Sequence, residues 1–230
     1  MRKSAWAYIL GGAVAMFFAA QVAIAGGTTI VLNFEGLGDE EPVQSYYNGG
    51  FGGYGSGPGP NYGITFESNA LAITSEAQGG SGNFDGAPSC CNIVFFLNGE
   101  GDVMNVTAGF TTGFSFYYSA PVYPGSVTVW SGPDATGTEL ANISLALTPD
   151  GHDYGPPCSG NYDYCPWIPI GVTFDGTAES VNFSGVANYI GFDDVTLGSP
   201  NPGTPEPTSL LLIGTGLAGL ATKLRRQRRK

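Results

Sequence analysis

Between Gly26 and Thr204 the chain has neither lysine nor arginine. All eight basic residues sit at the ends: Arg2 and Lys3 near the start, and Lys223, Arg225, Arg226, Arg228, Arg229 and Lys230 at the finish. Of nineteen Asp and Glu residues, only Glu206 lies outside that interior stretch. No interior carboxylate can pair with Lys or Arg from the same stretch. Each must face water, accept hydrogen bonds or hold a cation, because burying an unpaired charge costs several kcal/mol. Such a surface makes nucleic acid and anionic lipid poor partners, and it argues against phosphoryl transfer and against any site that grips an anionic substrate without a metal. Either the acids keep a soluble surface hydrated, or some of them hold calcium.

Histidine is nearly absent as well. His152, in PDGHDYGPP, is the only imidazole in the chain, with Asp153 beside it, and no nucleophile elbow accompanies it. A glycosidase would need only two carboxylates flanking a sugar, and nothing in the sequence singles out such a pair. Asp150-Gly151-His152-Asp153 lacks the spaced acids of a calcium loop and reads as a turn. The chemistry expected of the chain is therefore non-enzymatic.

Helical periodicity is missing from the interior, while strand periodicity is almost continuous. Ile30, Leu32 and Phe34 alternate with polar positions, as do Tyr62, Ile64 and Phe66, and Leu71 and Ile73. Ile93 to Leu97 is continuously apolar, the pattern of a central strand. Met104 to Phe110, Phe114 to Tyr118, Val127 to Val129, Ile143 to Leu147, Ile168 to Phe174, Val181 to Phe183 and Asn188 to Leu197 complete about ten short strands, joined by Gly, Pro, Asp and Asn. That pattern predicts an all-β, antiparallel β-sandwich. Residues 48–63 hold eight Gly and two Pro and form a long loop. Its aromatic residues, Tyr54 among them, either pin the loop or stack on sugar rings. Tyr162, Tyr164 and Trp167 in CSGNYDYCPW form a second candidate platform for glycan, with core filling as the alternative. In the final strand Ile190 and Phe192 share one face while Val195 and Leu197 fall on the opposite parity. The slip predicts a β-bulge at Asp193-Asp194, or an aspartate turned toward the core.

The two ends have a different character. Arg2 and Lys3 precede an apolar stretch from Ala5 to Ala20, and Ala23-Ile24-Ala25 is a small-residue cleavage site, so residues 1–25 read as a secretory signal peptide removed by signal peptidase. Residues 205–230 contain Pro205-Glu206-Pro207, an apolar run from Ser209 to Ala221 that reads as a short transmembrane helix, and a basic tail including Arg225, Arg226, Arg228 and Arg229. At about 1.5 Å per residue such a span is shorter than the roughly 30 Å hydrocarbon core, and basic residues stay on the cytoplasmic side. Together these three parts resemble the PEP-CTERM sorting signal of Gram-negative bacteria. The resemblance implies export across the inner membrane, transient anchoring there, cutting near Pro-Glu-Pro by an exosortase, and delivery to the envelope or the extracellular space, in species that often make exopolysaccharide. Residues 26–204 then form one domain, the β-sandwich. In an exported chain Cys90, Cys91, Cys158 and Cys165 are candidates for disulfides with three possible connectivities, of which a bond between adjacent Cys90 and Cys91 is the least favoured because it closes a strained ring. Zinc is disfavoured, since neither pair has the two-residue gap of a thiolate clasp.

The stretches VLNFEGL and IGFDDVTL resemble the first and last strands of jelly-roll carbohydrate-binding modules. The resemblance implies a jelly-roll sandwich with adjacent terminal strands, and a structural calcium ion held by Glu35 and by Asp193 or Asp194. The function expected is a surface or matrix protein associated with exopolysaccharide. A calcium-bridged structural protein of the envelope is the alternative, and a secreted glycan hydrolase the third.

Overall fold

The computed structural model describes residues 29–203. The signal peptide, Pro205-Glu206-Pro207, the apolar span and the basic tail lie outside the described residues. Among the described residues no helix is long and apolar enough to cross a membrane.

Ten antiparallel strands make one sheet: β1 (Ile30–Leu32), β2 (Glu41–Pro42), β3 (Ile64–Phe66), β4 (Ala70–Thr74), β5 (Asn92–Phe96), β6 (Gly101–Ser119), β7 (Gly125–Gly132), β8 (Thr136–Leu145), β9 (Ile168–Ser184) and β10 (Gly191–Leu197). The order is β2-β4-β5-β10-β6-β9-β7-β8, with β1 on β10 and β3 on β6. Among the described residues helical structure amounts to two 3-10 turns, Glu76–Gln78 and Gly151–Asp153. The expected all-β antiparallel class is what the chain adopts, and the terminal strands are neighbours, Ile30 opposite Leu197.

Two pairs of expected strands are in fact single long ones. Met104–Phe110 and Phe114–Tyr118 both belong to β6, and Ile168–Phe174 and Val181–Phe183 both belong to β9. The alternation fails at exposed Thr107 and Ala108 because the ladder shifts register between Asn105 and Thr112, where Gly109 and Thr112 take positive φ. Such bulges bend a strand without ending it. The first half of β6 pairs with β3 and the end of β9, and the second half with β10 and the start of β9. The sheet thereby folds over itself. Phe183, near the end of β9, meets Phe192 of β10 at 5.0 Å and Phe116 of β6 at 6.3 Å across the interior. Each such buried ring contributes about 1.5–3 kcal/mol. The continuous run of β5 is buried on both faces: Val94 and Phe96 enter this main core, and Ile93 joins Phe84 and Trp167 in a second, smaller one. Among the described residues the ten strands, the two cores and the two disulfides close on one another within a single sheet.

Candidate functional site

The parity slip in β10 is both a bulge and an inward turn. The register with β6 shifts between Asp193 and Thr196, Asp194 takes φ +47°, and both aspartates are fully buried. Asp193 is spent on the chain beside it. Ser89 donates its N–H and hydroxyl to that carboxylate at 2.9 and 2.7 Å, and Asp194 N–H donates to it at 2.7 Å. Burial, then the charge of Asp194, hold Asp193 well above the usual carboxylate range despite those donors. Asp194 has no hydrogen-bond partner on either carboxylate oxygen. Burial and then the charge of Glu35 push it up to about 7. Glu35, at the end of the opening segment, accepts the N–H groups of Cys91 and Asn92 on Oε1, both at 2.8 Å. The charge of Glu35 thus acts on Asp194, while Glu35, Asp193 and Asp194 do not bring one oxygen each within 4.8 Å of one another.

The glycine-rich loop is held by an acid that the sequence reading passed over. Glu41 of β2 is 1% exposed; its Oε1 accepts the N–H groups of Tyr54 and Ser56 at 2.9 and 3.0 Å, and its Oε2 accepts that of Gly38 at 2.6 Å. A Cβ on Gly52 would stand 2.5 Å from Glu41 Oε1 and 2.7 Å from Leu37 Cδ2, so only glycine lets the loop lie this close. The aromatic residues in and just before the loop differ in exposure. Tyr46 and Tyr47 are buried, and Tyr47 accepts Phe34 N–H at 2.7 Å on its hydroxyl, whereas Phe51 and Tyr54 project into solvent, Tyr54 being 75% exposed.

The cysteines pair as Cys90–Cys91 and Cys158–Cys165. The ring between adjacent residues, least favoured on the sequence alone, is the pairing adopted, and Cys158 and Cys165 close a separate link with Cα atoms 5.8 Å apart, inside the usual range for a disulfide. Trp167 follows the second disulfide and is 7% exposed, edge-on to Phe84, with its indole N–H donated to Asp85 O. This burial removes Trp167 from the expected platform: the ring fills the smaller core and offers no face to a sugar. Tyr164 and Tyr162 are half-buried. Tyr164 donates its hydroxyl to Asn188 O at 3.0 Å and lines a small cleft with Phe84, Ile93, Asn83 and Asn188. Burial, with Asp163 and Tyr189 nearby, pushes its hydroxyl up to about 12.

Beside that cleft lie two tyrosines absent from the sequence reading. Tyr123 and Tyr189 stack edge-to-face at 4.8 Å and are 43% and 37% exposed, with exposed Val122 just before Tyr123 and exposed Val186 three residues before Tyr189. Their signal was faint: single tyrosines in PVYPG and ANYIG, where Pro, Gly and Asn mark loops that put an aromatic side chain outside the core. At the other side of the cleft Asn83 donates to Asp163 Oδ2, and His152 Nδ1 stands 3.1 Å from an oxygen of Asp163 and 3.1 Å from one of Asp150. Asp150 caps the turn that carries His152 and is held below the usual carboxylate range by the His152 N–H and then by its ring. This half-exposed knot fastens the disulfide loop.

Residues 203–227 match the PEP-CTERM protein-sorting motif. No curated protein matches the chain in sequence. Solved structures similar to it include the K2 cleaved adhesin domain of Lys-gingipain (12% identity, 75% of this chain, 100% of that one, TM-score 0.46). Two others are a β-1,3-glucan-binding family 6 carbohydrate-binding module from Bacillus halodurans (13%, 57% and 87%, 0.34) and a family 29 carbohydrate-binding module (12%, 75% and 92%, 0.37).

Proposed function

We propose that residues 26–204 are a non-catalytic, exported surface or matrix protein of jelly-roll type that associates with extracellular polysaccharide and carries one structural calcium ion. The sorting motif supports export, anchoring and release by an exosortase after signal peptidase has acted. The observation that carries the binding function is the cleft at Tyr164 with the Tyr123–Tyr189 pair beside it. Aromatic faces for the apolar side of a sugar ring stand next to the side chains of Asn83, Asn188 and Asp163 for its hydroxyls, with no lysine or arginine in the domain to attract an anionic polymer. A neutral polysaccharide fits that set of groups. Tyr54, on the loop braced by Glu41, is a second, separate stacking residue.

For calcium the supporting observation is Asp194, fully buried and with two oxygens unpartnered among the described residues, together with Glu35, whose two N–H donors both fall on one oxygen and leave the other without them. Hard oxygen donors suit this ion, and it would supply the positive charge that the domain lacks.

Co-sedimentation of the 26–204 fragment with the host's exopolysaccharide, in calcium and in chelator, tests the reading. Tyr123→Ala with Tyr189→Ala is expected to weaken binding about tenfold, or about 1.4 kcal/mol. Unchanged binding by that double variant sinks the site. Asp194→Asn is expected to abolish the calcium-dependent rise in Tm. Calcium-driven self-association without polysaccharide binding would favour the structural envelope protein instead, and turnover lost on changing one of two acids would favour a hydrolase.

A further inference from the structure

Four consecutive residues, Ser89 to Asn92, grip two carboxylates at the β10 bulge. Ser89 donates its N–H and hydroxyl to Asp193, and Cys91 and Asn92 donate their N–H groups to Glu35. The Asn92 side chain also donates to the carbonyls of Phe34 and Leu37, on either side of Glu35. Between the two grips lies the Cys90–Cys91 disulfide, closed within adjacent residues whose Cα atoms are 3.7 Å apart. While that ring is closed, the peptide between the two cysteines cannot turn independently of the sulfurs. The Cys91 N–H that Glu35 accepts lies in that ring and is held in a narrow range of orientations, next to the residue whose N–H and hydroxyl hold Asp193.

The two disulfides differ in access. Cys90 is exposed, whereas Cys158 and Cys165 are 7% and 0% exposed. A reductant in solution meets the adjacent-residue ring first. Opening it releases no long loop, so the chain-entropy contribution to global stability is small and the effect is confined to the carboxylates that the segment holds.

We propose that the Cys90–Cys91 bond is a redox latch on the calcium site: opened by a dithiol, it weakens the hold on the ion, and closed again, it restores it. This rests on the calcium reading above. One thiolate of the dithiol attacks the Cys90 sulfur and the Cys91 thiolate leaves. The second thiol of the reductant then displaces Cys90, so two electrons pass to the pair and the reductant departs as its own disulfide. With the ring open, Glu35 loses its fixed position relative to Asp194, and a site that needs both oxygens becomes less pre-organised.

Calcium titration of the 26–204 fragment by calorimetry tests the latch in three forms: oxidised, mildly reduced with dithiothreitol, and Cys90→Ser with Cys91→Ser. Mass analysis after alkylation identifies which thiols opened in the reduced form. The calcium Kd is expected to rise about tenfold or more in both open forms, with Tm in chelator nearly unchanged and recovery on reoxidation. Equal affinity in all three forms overturns the latch and leaves the calcium reading standing. No binding by the oxidised form overturns the calcium reading, and the latch with it. Alkylation at Cys158 and Cys165 before Cys90 and Cys91 overturns the argument from access.

Discussion

Asp102 and Glu41 are 4% and 1% exposed, yet their carboxyl groups move in opposite directions. Neither oxygen of Asp102 has a hydrogen-bond partner, and burial, then the charge of Glu67, push it up to about 8. Burial acts on Glu41 in the same sense, but the Ser56 hydroxyl and the N–H groups of Gly38, Ser56 and Tyr54 outweigh it and hold Glu41 below its ordinary value. A group whose folded value is raised gives stability that is fully present below the unfolded value and lost as pH rises toward the folded one. Asp102 therefore costs the domain stability between about pH 4 and pH 8. Asp102→Asn is expected to flatten that fall and to be the more stable protein at pH 8, by about 2 kcal/mol or more, in denaturant melts across the range. A parallel pH dependence in both proteins would contradict it. The sequence could not separate these acids: Asp102 sits on the core parity of β6 and Glu41 in GDEEPV, and only the surrounding donors tell a neutral carboxyl from an anchoring one.

At the scale of elements, the loop 48–63 shows how a stretch without regular structure becomes a mount for aromatic side chains. Composition alone made it a loop; its rigidity comes from one buried carboxylate thirteen residues before Tyr54. Glu41→Gln is expected to cost about 1–3 kcal/mol, since an amide cannot accept all three N–H groups as well and places a donor against them. Amide exchange at Tyr54 and Ser56 should speed up by more than that at the strands. Uniform acceleration throughout the domain would mean that Glu41 holds the core and not the loop. The bulge in β10 was legible as a one-residue slip of parity, and its aspartates were rightly singled out, but Ser89 as the partner of Asp193 was not, because 104 residues separate them. Trp167 was misread for a related reason: aromatic residues beside a disulfide look alike in sequence whether they cap a core or face water, and the Asp85 carbonyl that receives its indole lies 82 residues away.

Residues 26–204 as a whole carry eighteen acids with no lysine or arginine among them and one half-exposed histidine. Mutual repulsion among them opposes the compact state and is weakened by screening. Adding sodium chloride from about 10 to about 150 mM, in chelator, is therefore expected to raise Tm, and a fall in Tm would mean that the acids are held by attractive pairs. Class and the adjacency of the ends were readable from alternation and from the two terminal segments; the strand list was not, since β2 went unseen and β6 and β9 were each read as two. The folding of one sheet over itself was not, because the bends in β6 and β9 interrupt the pattern in the same way that a loop would.

The placement of β10 also decides how the domain bears a load. This strand lies between β6 on one side and β5 and β1 on the other, and the chain beyond it stays fastened, Gly198 to Gly113, Ser199 to Ser115 and Gly203 to Thr196. The sorting segment thus leaves from a strand in the middle of the sheet. On the proposed function, a pull between the chain leaving at Gly203 and a polymer at the aromatic cleft would run along hydrogen-bonded ladders on both flanks of β10. Those bonds must be sheared together and cannot be peeled off one at a time from an edge.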